Sequence, residues 1–238
     1  KITNEQTSLL KNLLKDDMNE ILYKREALKP EQRGVGAVSK RICSASQIEF
    51  KYEALSQIFR SNGMLDALNC AGGFQYALKK AFLQINDSSD TSIRNNTVLD
   101  DQNPPLLPYL HCDTSSFSFK SIIYLSDQSK AGFGEFKYVE GTHRCFDGLD
   151  GLIRKAMDTS GLDSIKRDSR VLFANLPAYF QRKANFGNDI ITRTSAVKAI
   201  IRNEKKILGP EGSFVVFDNN GFHRGNQFLK KHQRIIIQ

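Results

Sequence analysis

The spacing of apolar residues changes once along this chain, near residue 109. Before that point apolar side chains recur every three or four positions. Leu9, Leu10, Leu13, Leu14, Met18, Ile21 and Leu22 predict an amphipathic helix from Asn4, which can cap it, to about Leu28, with Pro30 close behind. A second helical pattern covers about Ser46 to Leu68, with Gly63 placed to split it, and a third covers about Phe74 to Ile85. After a stretch at 86–108 rich in Asp, Ser, Asn and Pro, short β-type runs take over. They are Tyr109–Asp113, Phe117–Ser126, Glu135–Val139, Ser213–Asp218 and Arg234–Gln238, separated by Gly-bearing turns. Such an order predicts an α+β domain: a β-sandwich or barrel with a helical layer in front.

With 238 residues and no internal repeat, the simplest organisation is a single domain, 1–238. Residues 1–100 form its mainly helical layer and 105–238 its β core. An insertion at about 144–206 carries helical stretches around Leu149–Asp158 and Ala174–Lys183. No run approaches the roughly 18 apolar residues that a membrane-spanning helix needs, so no membrane partner is expected. Cys43, Cys70, Cys112 and Cys145 are scattered without a CxxC pair, which fits a reducing compartment and a cytoplasmic location. The sequence opens at Lys1 and is read as a trimmed product, so a lost targeting segment stays open.

The net charge of +8 is uneven. Residues 1–110 hold 14 Lys/Arg against 13 Asp/Glu, whereas 111–238 hold 20 against 13, and 144–206 alone hold 13 against 7. A basic region over a binding cleft would favour an anionic small molecule, although a solvated, solubilising face is the commoner cause of such charge.

Four histidines can be weighed singly. In a strand, residues two apart share a face, so His111 and Asp113 can aim an imidazole nitrogen and a carboxylate oxygen at one point while Cys112 turns away. A third ligand from a distant strand would complete the two-histidine, one-carboxylate set that holds Fe(II) with three positions open. His223, after the strand Gly-Ser-Phe-Val-Val-Phe-Asp and next but one to Gly221, is the best candidate. The plain alternative is that each histidine is a hydrogen-bonded structural residue. Arg234 opens the apolar run Arg-Ile-Ile-Ile, where a guanidinium is costly unless it meets a fixed anion, and its fork suits a carboxylate. Taken alone it reads better as a strand-edge arginine exposed to water. His143 suits a structural turn, and His232 a solvated hairpin loop.

These segments resemble, in order, those of the Fe(II)/2-oxoglutarate-dependent dioxygenases, specifically the phytanoyl-CoA dioxygenase-like family. His111-Cys-Asp113 is similar to its HxD, and Ser121-Ile-Ile-Tyr-Leu-Ser-Asp127 to the strand that follows. Gly134-Glu-Phe-Lys-Tyr-Val-Glu-Gly-Thr-His-Arg144 is similar to its G-x-F-x-Y-V-P-G-S-H-R stretch, with Glu140 in place of Pro. Gly212 to Asn226, with Arg234, is similar to its distal half; Gly225 offers no hydroxyl where some members have one. The resemblance covers about 105–238 and not the N-terminal third.

It implies a double-stranded β-helix, the cupin-like jelly roll, with helices packed on one sheet. It further implies that His111, Asp113 and His223 bind Fe(II) and are catalytic, that Arg234 pairs with the far carboxylate of 2-oxoglutarate, and that O₂ is consumed. The implied reaction is hydroxylation of a small molecule, and the long interval from Asp113 to His223 makes 144–206 an elaboration over the cleft mouth. Desaturation, epimerisation or cyclisation would share the same hydrogen abstraction. Competing readings are an oxygenase that dealkylates nucleic acid, an inactive jelly-roll binding module and a cupin-like metal isomerase. Nucleic acid is not expected, because the second arginine of that branch, six residues after the first, has no counterpart in a sequence given as far as Gln238.

Overall fold

A computed structural model describes residues 1–29, 39–46, 49–87, 119–143, 177, 201–219, 221–225, 228 and 232–238. Helix α1 spans Asn4–Leu13 and α2 spans Lys15–Glu26. The cap of α1 is Thr3, one residue before the expected Asn4. Thr3 Oγ1 accepts from the Gln6 backbone N–H at 3.1 Å, and the Gln6 side chain accepts from the Thr3 N–H at 3.0 Å, a reciprocal capping box. The single helix expected over 4–28 is interrupted at the fully buried Leu14, whose φ of −102° and ψ of 7° leave the helical region although helix-type hydrogen bonds continue on both sides. Helices α3 (Phe50–Ser61) and α4 (Met64–Gly72) are split at Gly63, as the sequence suggests. The break needs a left-handed residue, and Gly63 has φ +67°.

The eight described strands are β1 (Ser39–Ser44), β2 (Lys80–Asp87), β3 (Phe119–Tyr124), β4 (Phe136–Val139), β5 (Glu204–Ile207), β6 (Phe214–Asp218), β7 (His223–Gly225) and β8 (Gln233–Ile237). They form a five-stranded sheet, β1-β2-β8-β3-β6, and a three-stranded sheet, β5-β4-β7, with antiparallel pairing throughout. Three features depart from the sequence expectation. The third helix, Phe74–Ile85, is absent: Lys80–Asp87 is strand β2. Its apolar residues fit a helical spacing as well as an alternating one, and pairing with β1 and β8 decides for the strand. Strand β1 was not foreseen. Strand β5 lies inside the stretch read as an insertion, yet it pairs with β4 across Phe136↔Ile207 to Val139↔Glu204. The expected strand Tyr109–Asp113 and the helical stretches within 144–200 lie outside the described residues.

Alternation along the strands makes two distinct cores. On one face of the larger sheet Leu83, Ile85, Ile123, Ile237 and neighbouring Leu125 meet Leu10, Leu14, Ile21, Leu55, Ile58, Phe59 and Met64 from the helices. The helices therefore cover one sheet face, as the resemblance implies. On the other face Ile122, Tyr124, Phe217 and Ile236 pack against Phe136 of β4, with Tyr138, Ile207 and Val215 alongside, so the two sheets share an apolar interior. The Tyr124 hydroxyl crosses that interior to donate to the Ile207 carbonyl at 2.9 Å. Asp17, Lys40 and Lys51 join α2, β1 and α3 through ion pairs of 2.6–2.7 Å. No helix among the described residues is long and apolar enough to cross a membrane.

Candidate metal and carboxylate site

The entry to strand β7 is set by its neighbours. The Thr142 hydroxyl donates to the Val139 carbonyl at 2.7 Å and accepts from the Phe222 N–H at 2.8 Å, and the Val139 N–H donates to the Phe222 carbonyl at 2.9 Å. The Thr of the Gly-Thr-His-Arg stretch thus clamps the entry to β7. One residue earlier, a Cβ on Gly221 would lie 1.9 Å from the Tyr138 hydroxyl, so only glycine fits there. That hydroxyl donates to the Asp218 carbonyl at 3.0 Å. Burial, with the Asp218 charge adding to it, pushes the Tyr138 phenol up to about 12.

This clamp delivers His223, which is 3% exposed and directly opposite Tyr138 in the β4–β7 pair. Its ring lies 5.0 Å from that of Phe217 and 5.8 Å from that of Phe136, members of the intersheet cluster, so the imidazole projects between the sheets. Nδ1 sits 2.8 Å from the Gly221 carbonyl oxygen. A carbonyl only accepts, so Nδ1 carries a proton, and in the neutral ring the lone pair is then on Nε2. The same bond orients the ring and fixes the tautomer required of a metal ligand.

Arg234 reaches the interior from the facing sheet. It alternates with Ile236, which belongs to the intersheet cluster, and it is 4% exposed on a strand flanked by β2 and β3. The exposed, edge-strand alternative therefore does not hold. Nη1 donates to the Gly134 carbonyl at 2.6 Å and Nη2 to Asn86 Oδ1 at 2.9 Å, while the Phe228 ring lies 5.9 Å from the guanidinium carbon. Burial raises the nearby Tyr124 phenol above its ordinary value, and the Arg234 charge opposes that rise. Gly134, with φ +80°, is held to glycine twice over, because a Cβ would come within 2.4 Å of the Phe228 ring. Gly134, which meets Arg234, and Phe136, which meets His223, are two residues apart, or about 7 Å of extended chain.

The structure thus brings His223 and Arg234 to one intersheet space. His111 and Asp113 lie outside the described residues, among which no group of three potential metal ligands occurs. His143 ends the turn after β4. His232 is not the solvated loop residue expected: it stacks on Phe133 at 4.0 Å and places Nε2 3.1 Å from the amide nitrogen of the fully buried Gln128. Sequence reasoning passed over Asn86, Thr142 and Phe228. Thr142 stood within a recognised motif, whereas Asn86 carries no local signal. A separate polar cavity of about 270 Å³, lined by Asp17, Lys40, Cys43, Glu49 and Lys51 among others, lies beside α2, β1 and α3, away from these groups.

Neither a scan against protein-family models nor a search of curated proteins finds a match. Among solved structures the chain is similar to HygX from Streptomyces hygroscopicus, solved with nickel and 2-oxoglutarate bound, at 14% identity and a TM-score of 0.43, covering 92% of this chain and 75% of that one. It is also similar to SnoN, described as a non-haem α-ketoglutarate-dependent epimerase from nogalamycin biosynthesis, at 12% identity and a TM-score of 0.42, covering 93% and 70%. Likenesses this shallow leave the weight on the residues themselves.

Proposed function

We propose that the protein is a non-haem Fe(II)- and 2-oxoglutarate-dependent oxygenase of the phytanoyl-CoA dioxygenase-like type, a single jelly-roll domain that hydroxylates a small, anionic molecule. The observation that carries this reading is the pairing of a tautomerically fixed His223 with a buried Arg234 across one intersheet space. The donor set fits the group: an imidazole oriented through Nδ1 suits Fe(II), and a guanidinium fork suits a carboxylate. His111 and Asp113, on the sequence motif, supply the other two ligands. Bound iron with 2-oxoglutarate supplies the oxidising chemistry, consuming O₂ and releasing succinate and CO₂.

This chain's residues do the rest. The Gly221 carbonyl holds the His223 proton on Nδ1, so the neutral ring would offer Nε2 to the metal. Arg234 takes the far carboxylate and thereby directs the keto-acid end away from the larger sheet toward the histidine. Phe136, Phe217 and Ile236 exclude water from the interior, which strengthens each polar contact made there.

The test is twofold. Under air-free conditions Fe(II) and 2-oxoglutarate together should give a weak visible charge-transfer band that neither gives alone. In air, succinate release should then be screened over a metabolite library, anionic compounds first, with products one oxygen atom heavier than their substrates. Absence of both the band and Fe(II)-dependent succinate release would overturn the reading in favour of a binding module. A product of unchanged mass would remove hydroxylation alone.

A further inference from the structure

Resting on the proposed reading of Arg234, we infer that Asn86 is the positioning residue for the 2-oxoglutarate carboxylate: as a neutral acceptor it sets the plane of the Arg234 guanidinium. Asn86 comes from β2, in the N-terminal part of the chain that carries no resemblance to the oxygenase motifs. It is 2% exposed and sits directly opposite Arg234 in the β2–β8 pair, so the two side chains leave the sheet side by side on its inner face. A buried amide is costly unless bonded, and Arg234 Nη2 lies 2.9 Å from it. Because a guanidinium only donates, the amide atom facing it is the carbonyl oxygen.

The choice of group matters more than the contact. With the Gly134 carbonyl on Nη1 and the Asn86 carbonyl on Nη2, two neutral acceptors, one from β2 and one from the turn before β4, define the guanidinium plane, and Phe228 covers it. A carboxylate at position 86 would hold the same geometry but would take a charge-assisted fork for itself, in competition with an incoming carboxylate. A residue serving only to pack β2 against β8 would make no such distinction between asparagine and aspartate.

The experiment is calorimetric titration of 2-oxoglutarate, and separately of 2-oxobutyrate, which lacks the far carboxylate, into protein supplemented with Mn(II) under air-free conditions, where no turnover occurs. Asn86→Asp should weaken 2-oxoglutarate binding by about tenfold or more and leave 2-oxobutyrate unchanged. Asn86→Ala, which removes this acceptor without adding charge, should show a smaller loss with the same selectivity and decides the matter if the aspartate variant does not fold. If the folded variants match the parent, or weaken both keto acids equally, the inference fails. Arg234→Ala separates the two levels. A selective loss of 2-oxoglutarate in that variant keeps the proposed function standing, whereas a parent that binds 2-oxoglutarate no better than Arg234→Ala overturns the function and the inference together.

Discussion

On the helix-covered side of the larger sheet, β2, β3 and β8 present Leu83, Ile85, Ile123 and Ile237, while on the opposite side the same three strands present Gln84, Asn86, Tyr124 and Arg234. The strands are shared, and alternate residues serve different ends. The centre of the outer face is apolar and holds the helices. The inner face mixes apolar Ile122, Phe217 and Ile236 with Asn86 and Arg234, which are buried and bonded to each other, a pair that a fold built only for stability would replace by aliphatic side chains. Stability and chemistry are therefore separable here by single residues one position apart.

The sharpest way to break that separation is Leu83→Ala on the outer face. Leu83 is fully buried among the helices, so its truncation should cost about 2–5 kcal/mol in urea unfolding while 2-oxoglutarate affinity, measured below the transition, stays within twofold of the parent. An affinity change that tracks the stability loss would show the faces coupled. The mirror experiment is Arg234→Ala, expected to cost about 1.5–3 kcal/mol of 2-oxoglutarate binding, roughly ten- to a hundredfold in Kd. It should also abolish any difference in affinity between 2-oxoglutarate and 2-oxobutyrate.

Gly134→Ala should affect both properties at once. The added methyl group meets the Phe228 ring at a left-handed φ, so about 1–3 kcal/mol of strain is expected, together with displacement of the carbonyl that holds Arg234. Thermal unfolding and keto-acid titration of the same sample would read the two parts.

The smallest effect belongs to Asp17, far from the intersheet space. Burial pushes its carboxyl up, but hydrogen bonds from Lys40 and Lys51 outweigh that and hold it below the ordinary carboxylate value. A carboxyl depressed in the folded state contributes stability above its unfolded value, near pH 4, and loses that contribution as pH falls through the folded value. Asp17→Asn should therefore cost about 1 kcal/mol at neutral pH, since both lysines are about a third exposed and screened, and nothing by the lowest pH at which the parent stays folded. A gap that widened on acidification would contradict the direction given.

What the sequence reveals follows from how local each signal is. Phe119–Tyr124, Phe136–Val139, Phe214–Asp218 and Gln233–Ile237 all fall within or one residue from runs legible as alternating segments between glycine turns, and the helix break at Gly63 needs only one residue's φ. Strand β2 was illegible because its apolar spacing serves two periods, and the choice between them is made by partners outside the segment. Strand β5, Glu-Lys-Lys-Ile, has no apolar alternation at all and exists through its pairing with β4. At the site, His223 and Arg234 betray themselves by residue type in an improbable setting. Asn86 does not, because an asparagine acquires meaning only beside the particular arginine that folding brings to it.

That meeting has a temporal side. The hydrogen bond between Arg234 and Asn86 spans 148 residues, and β8 is the only described strand joining the β1–β2 pair to β3 and β6. At about 5–20 residues per second, a ribosome needs roughly 7–30 s to travel from one to the other. Throughout that interval β2 waits as an open edge, its outward side already able to collect helices and its other side still without the strand that gives it purpose. A nascent chain of this protein should therefore emerge as a helical half with an unfinished border, an obvious place for a chaperone to hold on.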